Sequence, residues 1–109
     1  MMKEPLNTEG TVSITALELA EKIRQTGRRS PQDLPPLIEQ AEQLAVTTAD
    51  SYTRGLCVRA VGNGHQLLSN FGGALENYDA AISLFDSSKA SDQIGRTLLA
   101  KVGLLFYLS

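Results

Sequence analysis

Few residues in this chain have the chemistry for a reaction. His65 is the only histidine and Cys57 the only cysteine, so a Ser/His/Asp or Cys/His scheme has to use His65 with its nucleophile in hydrogen-bond reach. A zinc site needs three or four His, Cys or carboxylate ligands, which these two residues alone do not supply, and one cysteine cannot close an internal disulfide. Both residues read as packing groups on an apolar helix face. Gly62-Asn63-Gly64 imitates the start of a dinucleotide-binding loop, but Leu67 stands at the third glycine position and no strand precedes it. The carboxylates are scattered over polar faces, and none is isolated in the apolar surround that would raise a pKa for acid and base work. Arg28-Arg29 is a two-residue basic spot at a helix end. A polar stripe remains. Arg59, Asn63 and Gln66 follow one another at i, i+4 and i+7, so they share one face of a helix. No catalytic residue, metal site or cofactor is expected.

Helices must position that stripe, because no segment alternates as a strand does. Ala16, Leu19, Ala20 and Ile23 recur at helical spacing behind Thr15 and Glu18, a capping-box pair, and Gly27 offers a left-handed stop; a first helix is predicted over about 14–26. Pro35 and Pro36 fit the first turn of a second helix over about 34–48, capped by Asp33. Asp50 caps a third helix to about Leu68. It contains Gly55, Gly62 and Gly64, each costing about 1 kcal/mol against alanine unless small residues admit a close neighbour. Asn70 caps a fourth helix with Phe71, Ala74, Leu75, Tyr78, Ala81, Ile82 and Phe85 on one face, predicted to form a tight antiparallel hairpin with the third. Ser91 caps a fifth helix that runs to the end. Residues 1–12 lack a period and read as a flexible leader, leaving 13–109 as one helical domain.

The helices repeat. Val61-Gly62 recurs as Val102-Gly103 at an offset of 41 residues, and at an offset of 40 the second helix falls on the fourth, with Ile38 over Tyr78 and Ala41 over Ala81. A period near 40 with two helices per unit is an α-solenoid signature. Gly62, followed by Ser69-Asn70-Phe71 and the series Ala74, Tyr78, Ala81, resembles one tetratricopeptide repeat of the long variety found in bacterial regulatory and signalling proteins. Ser69 replaces the usual turn glycine, Val58 and His65 the usual aromatics, and Asp86 the terminating proline. The resemblance implies an all-α fold of antiparallel hairpins stacked as a short solenoid of about five helices. It also implies a groove lined by the third and fifth helices, where Arg59, Asn63 and Gln66 would orient a partner and Leu104 and Tyr107 would supply apolar contact. The basic residues of a terminal-carboxylate clamp are absent from the second helix.

These readings converge on a non-catalytic protein-interaction module with a protein or peptide partner. Ten Lys and Arg against twelve Asp and Glu, net charge -2, give no general attraction for nucleic acid or an anionic membrane. The longest apolar run, Val102 to Leu108, is far short of a membrane span, and the charged N-terminus is no secretory signal, so a cytoplasmic location is expected. Ser109 aligns with Leu68, so the chain is expected to stop mid-repeat, as the N-terminal part of a larger bacterial regulator. The alternative is a homo-oligomerisation domain that self-associates through the apolar last helix.

Overall fold

Prolines and caps set the helix boundaries. In the computed structural model, which describes residues 8–109 with side chains from Ile14 onward, α1 spans Thr8–Arg29, α2 Leu34–Thr47, α3 Ser51–Leu67, α4 Phe71–Ser87 and α5 Ser91–Leu108. A 3-10 turn, Pro31–Asp33, joins α1 to α2, and no strand occurs among the described residues. The fold is all-α with five helices, as the periodicity indicates.

Three local expectations need correction. The described part of α1 reaches back to Thr8, inside the stretch expected to be a leader, so Thr15 and Glu18 lie within the helix and do not start it. The rest of that stretch, residues 1–7, lies outside the described residues. Gly27 does not stop α1, because it serves packing: a Cβ there would come 2.5 Å from Leu67 Cδ1. The helix ends instead before Ser30-Pro31, where proline disfavours helical backbone in the residue ahead of it. Asp33 precedes α2 but its side chain makes no cap hydrogen bond. A capping oxygen accepts from the second or third N–H of its helix, and here Pro35 and Pro36 have none.

The capping of α3 and α4 follows expectation. Asp50 accepts hydrogen bonds from the Thr53 backbone N–H at 2.9 Å and from the Thr53 hydroxyl, and Asn70 Oδ1 accepts from Gly73 N–H at 3.2 Å. A fourth expectation also needs correction: Ser91 does not cap α5 but is its first residue, and Ala90, which has no capping side chain, holds the N-cap position.

The three glycines of α3 admit close neighbours. A Cβ on Gly55 would lie 2.7 Å from the Phe85 ring, one on Gly62 2.9 Å from the Tyr78 ring, and one on Gly64 2.5 Å from Ile38. Gly55 meets Phe85 and Gly62 meets Tyr78, so a rise of seven residues on α3 matches a fall of seven on α4: the hairpin is antiparallel. Both rings are fully buried. Each helix packs on its chain neighbours, with α3 central against α1, α2 and α4, and α5 resting mainly on α4. The core divides accordingly, with Ile23, Leu34, Ile38 and Val61 at the α1–α2–α3 end. Leu56, Cys57, Ala81 and Phe85 fill the middle, and Ala74, Tyr78 and Leu104 the α4–α5 seam.

Candidate functional site

Arg59 leaves α3 half-buried and crosses toward α5. Its guanidinium lies over the Phe85 ring, 5.3 Å from the centroid, an attraction between a cation and the negative face of the ring. Nη1 donates to Gln93 Oε1 at 2.7 Å and, more weakly, to Thr97 Oγ1 at 3.4 Å. Gln93 Nε2 in turn donates to the Tyr52 hydroxyl at 3.1 Å, and Tyr52 sets its ring edge-on against Phe85 at 5.9 Å. No carboxylate pairs with Arg59 among the described residues. Burial, and then the neighbouring charge of Arg96, hold its pKa below the ordinary value. Nε and Nη2 have no protein acceptor among the described residues, so the fork keeps donors for an incoming group.

Asn63 and Gln66 are less free than the helical stripe implies. The Tyr78 hydroxyl lies 2.7 Å from Asn63 Oδ1 and 2.6 Å from Gln66 Oε1. A phenol has one proton, so it donates to one amide and accepts from the NH2 of the other, whose orientation reverses to suit. Burial pushes Tyr78 up to about 12, with Arg59 opposing that shift, so the phenol stays neutral and joins both amides.

The five residues expected to line the groove thus separate. Asn63 and Gln66 are brought together by Tyr78. Arg59 sits apart, in a cradle of Phe85, Gln93 and Thr97. Leu104 is a correction: at 1% exposure it lies in the core with Ala74 and Tyr78 and is closed to any partner. Tyr107 is 74% exposed, its ring tilted against Phe71 at a centroid distance of 5.7 Å.

Of the two expected packing groups, Cys57 keeps that role, whereas His65 is partly exposed and joins no core cluster. Cys57 is buried, and burial pushes its thiol up to about 11, away from a reactive thiolate. His65 Nδ1 lies 3.2 Å from Asn70 Nδ2, the same amide whose oxygen caps α4, so the ring buttresses the α3–α4 turn. No cluster of three His, Cys, Asp or Glu able to hold a metal occurs among the described residues. An open trough of about 640 Å3 runs between α1 and α2, lined by Leu19, Pro36, Glu39, Gln43 and Thr47, with no pair of titratable groups placed for acid and base work.

Sequence reasoning missed Tyr78 as the hub of the amides, and Gln93 and Thr97 as the seat of Arg59. A signal for the first existed: Gly55 and Gly62 stand seven apart, as do Tyr78 and Phe85, which sets the hairpin register and puts the phenol beside Asn63 and Gln66. No family model matches this chain, and no curated protein or solved structure matches it either.

Proposed function

We propose that the chain is a non-catalytic protein-interaction module, a tetratricopeptide-like scaffold whose α3–α5 side receives an acidic or carbonyl-rich peptide segment. The observation that carries this reading is Arg59, a half-buried cation with no protein carboxylate among the described residues and with two nitrogens unspent. A charge removed from water is costly unless an acceptor meets it, and a partner's carboxylate or backbone oxygen would do so. Tyr107 supplies an exposed ring toward the other end of α5, against Phe71.

The resemblance of Gly62, Ala74, Tyr78 and Ala81 to the repeat pattern supports the scaffold reading, since all four are buried where the helices approach most closely. It adds a bacterial regulatory setting to the proposal, and the charged N-terminus adds a cytoplasmic location. No helix among the described residues is long and apolar enough to cross a membrane.

An array of short peptides graded in Glu and Asp content, probed with the full chain, tests the reading. Binding should rise with acidic content, fall at least tenfold in Arg59→Gln, and weaken in high salt. Equal binding to neutral and acidic peptides, or none to either, would overturn it.

A further inference from the structure

The face of α5 turned away from α4 is apolar and uncharged. Leu98, Leu99, Val102, Leu105 and Phe106 are 43%, 75%, 59%, 43% and 83% exposed, whereas Leu104 is 1% exposed. Successive helical residues turn about 100°, so those five fall in an arc of roughly 120° centred near Val102, with Leu104 on the opposite side. Gly95 extends the same stripe toward the start of α5 and adds almost no bulk. The charges stand off it. Lys101 Nζ is engaged by Asp79 at 2.6 Å, Arg96 lies on the flank nearer Gln93, and Asp92, seven residues before Leu99, stands at the edge of the arc in the first turn of α5.

The stripe is palindromic. Leu98 and Phe106 lie four residues either side of Val102, and Leu99 and Leu105 three. A helix laid antiparallel on its own copy pairs positions that are symmetric about the axis. Here that sets leucine against phenylalanine, leucine against leucine and valine against itself, with no charge inside the arc. We infer that α5 pairs antiparallel with α5 of a second copy of this chain, about a two-fold axis at Val102.

Area supports a second copy as the occupant. Weighted by exposure, and at roughly 150–200 Å2 for each whole side chain, the five residues present about 550 Å2 per copy. A symmetric pair then covers about 1,100 Å2, above the roughly 1,000 Å2 a specific interface needs. A two-fold contact of this kind closes on itself and yields a dimer, not a fibre. The inference is independent of the peptide reading, which concerns the α3 side of α5.

Sedimentation of the full chain from 1 to 200 µM should show a dimer that dissociates on dilution. Val102→Asp sets two like charges face to face on the axis and should weaken dimerisation at least tenfold, with the helical signal and melting temperature of the dilute monomer unchanged. Val102→Cys should form a cross-chain disulfide under mild oxidation, while Leu105→Cys, which faces position 99 of the copy, should not. A monomer across the whole range overturns the inference, as does a dimer indifferent to Val102→Asp. Equal cross-linking at 102 and 105 excludes the antiparallel two-fold.

Discussion

The α3–α4 hairpin and the α5 helix are built from comparable proportions of apolar residues and use them in opposite ways. In the hairpin, two glycines each receive an aromatic ring, the phenol of one ring ties down two amides, and both helices begin with a side-chain cap. Helix α5 has no side-chain cap, and only Thr97 and Leu104 are buried in it. Its ties to the remainder include the Leu104 seam, Ile94 against the middle of the core, the Lys101–Asp79 pair, the tilted Phe71–Tyr107 contact, the Gln93–Tyr52 hydrogen bond and the grip of Arg59 on Gln93 and Thr97. Apolar content alone therefore says little about how firmly a helix is held. Alternation of ring against glycine fastens one region, and its absence leaves the other with a free face.

The sharpest break of this contrast is a pair of truncations. Phe85 touches Gly55, carries Arg59 over its ring and meets Tyr52 edge-on. Phe85→Ala should cost about 3–5 kcal/mol through lost burial and the cavity left behind. Leu99→Ala on α5 should stay within about 0.5 kcal/mol when measured on dilute monomer, because most of that side chain already meets water. Chemical denaturation of both variants checks the difference, and similar losses would erase the distinction.

Glycine substitution tests the same contrast with opposite signs. Gly55→Ala gains helix propensity but drives a Cβ to 2.7 Å from the Phe85 ring, so the expected result is a loss of about 1–3 kcal/mol. Gly103→Ala meets nothing within 4 Å and should gain about 1 kcal/mol. Both are read from the denaturation midpoint.

Legibility in the sequence followed the same division. The α3–α4 hairpin was readable because its apolar residues keep one period, its caps are Asp and Asn, and its glycines would be unaffordable without a close neighbour. Helix α5 was readable as a helix but not by face: with apolar residues on every side, periodicity carries no direction, and the repeat offset assigned Leu104 to a groove when α4 in fact covers it. A pair of charges placed at 104 and 107 would thus break the seam and would not simply improve solubility. The seat of Arg59 was hidden for a different reason. Gln93 and Thr97 lie 34 and 38 residues away, and no local pattern announces a contact of that range.

The N-caps give a pH-dependent test. Hydrogen bonds from the Thr53 hydroxyl and backbone hold the Asp50 carboxyl below its usual range, so the folded chain binds that proton less readily than the unfolded one. The contribution of Asp50 is therefore whole above about pH 4, and it is lost as pH falls through the lowered folded value. Asp50→Ala should cost about 1 kcal/mol at neutral pH and flatten part of the acid limb. Asp50→Asn keeps an acceptor and should flatten the same limb at smaller cost. An acid limb identical in all three chains would mean the cap contributes nothing.

The smallest expected effect separates the two regions most directly. Helices α3 and α4 end in the same way, with Ser69 at φ 64° and Lys89 at φ 58°, both in the left-handed region. In each turn the next N–H reaches back to the third-last helical carbonyl, Asn70 to His65 and Ala90 to Phe85, which is a Schellman closure normally given to glycine. A side chain in that conformation costs about 1 kcal/mol, so Ser69→Gly and Lys89→Gly should each stabilise by up to that amount. The turns differ in what they join. Ser69 closes the hairpin, and Lys89 connects it to α5. If α5 opens locally while the hairpin stays folded, the Ser69 turn is intact in both states, and Ser69→Gly leaves α5 amide exchange where it was. The Lys89 turn is then free to unwind with α5, and Lys89→Gly slows exchange along α5 up to about fivefold. Equal slowing of α5 exchange by both substitutions would show that the five helices open as one unit and that α5 is held as firmly as the hairpin.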